Sequence, residues 1–170
     1  MEFLQIVSEY EKRFAHTQDE SEEMILPQTY HAFVSYNHDE EYEWVRECLL
    51  SKVEDEWGFK MCVGQRDFLA GAAITENIVN AVENSHRTLI ILTPDFLKSQ
   101  WCDFELHMAL TRGKDHVIIC YIKKVDQKKL SKVMKRLIKS LTYIEYGDED
   151  GHNEFWLKLH ECLSRTAEII

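Results

Sequence analysis

Chemistry in a small protein rests on a few side-chain types at tight spacing. This chain holds five cysteines, Cys48, Cys62, Cys102, Cys120 and Cys162, and eight histidines. No C-x-x-C occurs, no pair of histidines stands as H-x-x-x-H, and no His/Cys cluster has ligand spacing. Neither a metal centre nor a thioredoxin-type redox pair is therefore expected. An odd number of widely spaced cysteines reads as reduced, mostly buried thiols of a cytosolic protein. Nucleotide and acyl-transfer signatures are missing too. There is no G-x-G-x-x-G, no G-x-x-x-x-G-K-[ST] and no G-x-S-x-G. The stretch after Tyr36 is "NHDE", acidic where a phosphate cradle needs glycine. No cofactor is expected. One stretch stays unexplained: "RDFLAGAAITENI" at 66–78. It opens on a charge pair, passes through residues with almost no bulk and runs into a helical pattern. Nothing in a hydrophobic core requires such a loop.

The elements that must carry this loop alternate. "YHAFVSY" (30–36) is a short apolar strand and "FKMCV" (59–63) a second. "RTLIILT" (87–93) and "HVIICYI" (116–122) are continuous apolar runs, the pattern of strands covered on both faces. "LTYIEY" (141–146) reads as an edge strand. Between them lie five helical patterns, at 39–54, 74–85, 94–113, 126–140 and 155–169. In the first, Tyr42, Val45, Leu49 and Val53 point inward; in the second, Ile74, Ile78, Val79 and Val82. The third starts at Pro94, is interrupted near Ser99 and is capped by Gly113. Phe33, Val34, Ile90, Ile91, Ile118, Ile119 and Trp156 are expected in the core. Strands alternating with helices predict an α/β fold with a parallel sheet. A five-stranded doubly wound sheet commonly takes the flavodoxin-like order 2-1-3-4-5, with function at the carboxyl ends of the strands. Both the 66–78 loop and the residues after Tyr36 fall at such ends. Residues 1–28 read as an extension, a helical segment (2–15) followed by an acidic linker, and residues 29–170 as the domain proper.

Composition narrows the function classes. With 45% hydrophobic and 11% aromatic residues the chain can build a real core. A net charge of −10 argues against general affinity for nucleic acid. No apolar run approaches the roughly 20 residues that span a bilayer, and no signal-peptide pattern opens the chain. The charge is unevenly laid out. Residues 39–57 hold eight acids and two bases; residues 123–139 hold eight bases, among them Lys128, Lys129, Lys132, Lys135 and Arg136, against Asp126. The basic fourth helix reads as a solvated face, as half of a head-to-tail contact with the acidic first helix of another copy, or as a surface for anionic lipid.

Four separated stretches carry a family resemblance, in order along residues 29–165. "YHAFVSYNHDE" (30–40) resembles box 1 of the Toll/interleukin-1 receptor (TIR) domain. "MCVGQRDFLAGAAITENI" (61–78) resembles box 2 with the adjoining BB loop, and "FW" (155–156) resembles box 3. "SHRTLIILTPDFLKSQWCDFEL" (85–106) looks like the family's third strand and the segment after it. "KSQWCDFEL" and the "RDFxxG" loop bring it nearest to the Toll-like receptor cytoplasmic type. The resemblance implies a signalling domain that contacts other TIR domains, whether its own copies, a receptor tail or an adaptor, through the BB loop. It would be cytoplasmic, and at the cytoplasmic face of a membrane if it is a receptor tail. Arg66 and Asp67 would anchor the loop's base, Phe68 and Leu69 would be exposed apolar contacts, and Gly71 would allow a turn with positive φ. Small Ala70, Ala72 and Ala73 would let a partner backbone approach. Many Toll-like receptors carry proline where this chain has Ala70, which frees the loop's φ here and leaves the choice of adaptor open.

The resemblance also implies a rival. Some TIR domains cleave the nicotinamide–ribose bond of NAD+ with a glutamate four residues after a tryptophan, the spacing of Trp101 and Glu105. The carboxylate would stabilise an oxocarbenium-like ribose, as in glycoside chemistry, and Trp101 would wall the pocket. The basic residue that such enzymes place just after the first strand's tyrosine is Asn37 here, followed by His38.

Overall fold

The computed structural model describes residues 29–167. The expected helical segment at 2–15 and its linker lie outside them. Five parallel strands form one sheet: β1 (Tyr30–Ser35), β2 (Met61–Val63), β3 (Ser85–Leu92), β4 (Val117–Tyr121) and β5 (Tyr143–Glu145). Their order is β2-β1-β3-β4-β5, the predicted doubly wound arrangement. In the register Val34 lies between Val63 and Leu89, and Ile90 opposite Ile119. The helices are α1 (His38–Trp44, running on as a π-helix over Val45–Glu56), α2 (Gly64–Asp67), α3 (Ile74–Glu83), α4 (Gln100–Thr111), α5 (Lys132–Ser140) and α6 (His152–Ala167). The basic helix, fourth in the expected series, is α5, because a four-residue turn of helix follows β2.

Strand alternation divides the core in two. Ala32, Val34, Leu89, Ile91, Ile118 and Cys120 face Val45, Leu49 and Val53 of the first helix and Phe155, Leu159 and Leu163 of α6. Ile90, Leu92, Val117 and Ile119 face Cys102, Leu106 and Ala109 of α4 and Met134 and Leu137 of α5. Phe33 and Cys62 meet Ile78, Ala81 and Val82 of α3 and Phe104 and Met108 of α4. Phe33, Val34, Ile90, Ile91, Ile118 and Ile119 are buried as expected, while Val79, expected to point inward, is half-buried against the α3 side of the core. Trp156 too is half-buried, one member of an aromatic cluster in which it stacks on Trp44 at 6.5 Å and meets Trp57 edge-on at 6.0 Å.

Three other expectations change. Tyr42 is 37% exposed, since it sits in the first turns of α1 beyond the sheet's cover. Ile74 is 50% exposed because, as the first residue of α3, it overhangs a cavity rather than the sheet. The second strand begins at Met61, two residues late. The interruption near Ser99 is real: a 3-10 turn over Phe96–Lys98 precedes α4, and Ser99 Oγ accepts the Cys102 amide at 3.3 Å as an N-cap. Gly113 follows α4 with φ +93°.

Candidate functional site

The carboxyl ends of β1, β2 and β3 converge on one opening. After β1, Asn37 caps α1 by accepting the Asp39 amide at 3.1 Å. Its amide nitrogen donates to the Asp95 carbonyl at 2.9 Å and so ties the β1 and β3 loops together. After β2 the chain turns through α2 into the loop singled out above. Between these segments lies a cavity of about 500 Å³. Tyr36 and His38 line it from the β1 side, Gly64 and Phe68 from the β2 side, Ile74 and Ile78 from α3, and Ser99, Trp101 and Glu105 from α4.

The base of the loop is a charge network. The Arg66 guanidinium grips Glu54 of the first helix with two bonds, Nη1 to Oε2 at 2.8 Å and Nη2 to Oε1 at 2.9 Å. It also donates to the Met61 carbonyl at 2.9 Å and to Asp67 at 3.1 Å. Asp67 in turn accepts the Val63 amide at 2.8 Å, and Glu54 accepts the Met61 amide at 3.1 Å. One arginine therefore locks the first helix, β2 and the loop into register through a bidentate geometry that lysine does not supply. Glu54 was invisible as a partner in the sequence.

Further along, Asn77 of α3 clamps the loop. Its side-chain oxygen accepts the Leu69 amide at 2.8 Å, and its nitrogen donates to the Leu69 carbonyl at 3.0 Å. The Ala72 amide bonds the same carbonyl at 3.3 Å, and Gly71 takes φ +86°. The expected positive-φ turn is thus present at Gly71. Ala70 and Gly71 are exposed. Leu69 stands 71% exposed. Phe68 does not join it outside: half-buried, its ring lies 6.0 Å from that of Phe33 and lines the cavity. The short helix α2 is the reason, because it reverses the chain and turns residue 68 inward. A Cβ on Gly64 would lie 3.0 Å from His38 Cε1 and 3.1 Å from Phe68 Cε2, so both rings close over a position that only glycine leaves free. Leu69, Ile74 and Trp101 (45% exposed) make an apolar rim at this end of the molecule.

Glu105 reaches the cavity from α4 while only 3% exposed. Ser35 Oγ donates to its Oε2. Burial raises its pKa from 4.5 to about 8, with the Ser35 hydroxyl opposing the shift, so the carboxyl is largely protonated at neutral pH. Tyr36 is buried, and its hydroxyl has no hydrogen-bond partner among the described residues. Burial first, then Tyr42 and Glu105, pushes that phenol above its ordinary range. His38 stacks on Tyr36 at 4.5 Å, and burial lowers its pKa, which keeps the imidazole neutral. Burial lifts the Cys62 and Cys102 thiols to about 12, so neither is a nucleophile near neutral pH. Among the described residues no group of three or more His, Cys, Asp and Glu is placed to hold a metal ion. Lys128, Lys129, Lys132, Lys135 and Arg136 lie away from this opening, exposed along α5 and the turn before it.

The TIR-domain family model matches residues 29–167. The chain belongs to the TIR-domain family. It is 32% identical over 162 residues to Toll-like receptor 6 of Bos taurus, covering 87% of this chain and 20% of the receptor. It is 33% identical over 143 residues to Toll-like receptor 2 of Boselaphus tragocamelus, covering 79% of this chain and 18% of the receptor. The chain thus spans about a fifth of the length of these curated relatives. Among solved structures it resembles the TIR domain of the Toll-related receptor TRR-2 from Hydra magnipapillata, with a TM-score of 0.69 and 29% identity over 80% of this chain and 99% of that one. A metazoan TIR-STING receptor from C. gigas matches with a TM-score of 0.65 and 29% identity, over 82% of this chain and 40% of that one. No helix among the described residues is long and apolar enough to cross a membrane.

Proposed function

We propose that this TIR domain serves innate-immune-type signalling, as a receptor tail or an adaptor, by assembling with other TIR domains through its 66–73 loop. One observation carries the reading: Leu69 is held 71% exposed on a loop whose base and shoulder are rigidly bonded. A merely tolerant loop needs neither the Arg66 grip nor the Asn77 clamp. Covering Leu69 contributes about 1–2 kcal/mol, close to tenfold in affinity. Because the loop is already ordered, little conformational entropy opposes that gain. The relatives named Toll-like receptors, and the Hydra receptor domain, support a signalling role and a place at the cytoplasmic face of a membrane. Light scattering of concentrated protein tests the reading. Leu69→Glu and Gly71→Trp are expected to abolish association while leaving the circular dichroism unchanged; association equal to wild type in both would overturn the loop's role.

A second reading has its own observation, a buried carboxyl and an unpartnered Tyr36 hydroxyl lining one cavity beside Trp101. In an NAD+ hydrolase, Glu105 would have to be ionised to stabilise a cationic ribose. Burial holds it protonated near pH 7, which favours the assembly reading. Under this reading kcat/KM rises as the carboxyl of the free protein ionises toward pH 8. NAD+ turnover by concentrated protein, lost in Glu105→Ala, would establish it. Absence of turnover in both proteins, alongside association, would leave assembly as the function.

A further inference from the structure

The two charged segments occupy opposite faces of the sheet. The first helix packs on the face formed by Val34, Leu89 and Ile91, and α5 on the face formed by Ile90, Leu92 and Ile119. Their charges are differently treated. Lys128, Lys129, Lys132, Lys135, Arg136 and Lys139 are all exposed, and none makes an ion pair with a described residue. On the first helix, Glu41, Glu47, Glu54 and Glu56 are each paired. Asp39, Glu40 and Glu43 remain exposed and without such a pair. Among the described residues, Lys123, bonded to the buried Glu41 at 2.9 Å, ties the acidic helix to the segment after β4.

Each surface also has an aromatic component. Tyr42 stands 37% exposed on the same turns of this helix as Asp39, Glu40 and Glu43, with the Arg46 guanidinium 5.8 Å from its ring centroid. Beside the basic helix lies a cavity of about 730 Å³, lined by Tyr121 and Tyr143 with ring centroids 5.0 Å apart, by Lys124 and by Ile138 of α5 itself. An exposed ring beside acids, and an aromatic-walled cavity lined by Lys124 and Glu145 and flanked by the basic helix, give the layout of a protein–protein contact with a central anchor. A chain of net charge −10 that nevertheless keeps six cations together unpaired has its complement at hand in its own copies.

We propose that the acidic surface around Tyr42 of one copy docks onto the α5 surface and the adjoining Tyr121/Tyr143 cavity of a second copy. The contact rests on the assembly reading above and adds to it an interface separate from the 66–73 loop. Where the contact is not returned between the same two copies, the acidic surface of the second stays free for a third.

Charge reversal tests it. Variant one carries Lys132→Glu, Lys135→Glu and Arg136→Glu; variant two carries Asp39→Lys, Glu40→Lys and Glu43→Lys. All six positions are exposed, and circular dichroism verifies each fold. By sedimentation velocity at low salt, each variant alone is expected to associate at least tenfold more weakly than wild type. An equimolar mixture of the two is expected to regain association, because the acidic surface of the first meets the basic surface of the second. Raising the salt weakens the wild-type contact. Undiminished association of either variant alone, or no recovery on mixing, overturns the proposal. So does a wild type that stays monomeric yet binds phosphatidylserine vesicles through α5, which would give the surface to a membrane. The Leu69→Glu protein in the same assay separates the two interfaces. Association lost there but kept in the reversal variants removes this contact and leaves the loop's role intact; the converse result removes the loop.

Discussion

Replacing Glu105 by glutamine keeps an acceptor for Ser35 and removes only the ionisation, which makes it the cleanest perturbation of the cavity. Burial raises the folded-state pKa from 4.5 to about 8. Below pH 4.5 both folded and unfolded chains are protonated at this site, and it adds no pH dependence. Between 4.5 and 8 the folded chain holds a proton that the unfolded chain has lost, so stability falls as pH rises through that window. Each pH unit is worth about 1.4 kcal/mol, so wild type loses about 3 kcal/mol relative to Glu105→Gln between pH 5.5 and 8. Urea unfolding of the two proteins at several pH values across that range reads the difference directly, and every other titrating group cancels from it. A stability difference that stays constant, or that moves in favour of wild type as pH rises, would refute the argument that desolvation governs this carboxyl. It would also restore an ionised Glu105 at neutral pH and with it the case for NAD+ chemistry.

His116 supplies the opposite slope. It is buried with Nε2 2.9 Å from Thr88 Oγ1, and burial first, then Arg112, lowers its pKa from 6.5 to about 4. Its stabilisation is present above 6.5 and is lost as pH falls toward 4. His116→Leu is therefore expected to flatten the acid side of the wild-type profile, read by thermal unfolding between pH 4 and 7. Arg66→Ala breaks the bidentate grip on Glu54. With the side chain 47% exposed the expected loss is about 1 kcal/mol. The larger effects are faster hydrogen exchange at the Val63 amide and loss of association in light scattering. Gly64→Ala drives a methyl against His38 and Phe68 and is expected to cost about 1–3 kcal/mol in urea unfolding. Unchanged stability there would mean that the two rings move aside freely.

The sheet was legible because its central strands are unbroken apolar runs: nothing but burial on both faces explains "LIIL" followed later by "VIIC". The helix ends were less so. Tyr42 and Ile74 obey helical periodicity and yet face outward, because periodicity finds a stripe and cannot tell where along its length the sheet stops covering it. Of the loop, the turn at Gly71 and the anchoring by Arg66 and Asp67 came with the family resemblance rather than from the residues alone. Glu54 and Asn77 came from neither: each is one polar residue on an amphipathic helix, distinguished only by the register in which that helix meets the loop. Phe68 escaped for a related reason. No turn residue announces α2, and without that turn the chain's direction at residue 68 is undetermined. Glu105 could be singled out only through the family resemblance, at its spacing from Trp101; its burial, which decides its charge, depends on α4 lying against Ser35 of β1, seventy residues away in the chain.

Loop and cavity are one structure rather than neighbours. Phe68 walls the cavity, and the next residue, Leu69, is exposed. Ile74 lines the same cavity and opens the helix whose Asn77 clamps Leu69. Under the assembly reading, a molecule that enters and shifts the backbone at Phe68 would also shift Leu69, and a partner seated on Leu69 would restrain Phe68. Coupling of this kind is reciprocal: whatever factor a cavity ligand imposes on assembly, assembly imposes on the ligand's affinity. The rigid anchoring at Arg66 confines that movement to the few residues between it and Asn77. If the loop is the contact proposed above, a ligand in the 500 Å³ cavity would bear on assembly even where no reaction takes place inside it.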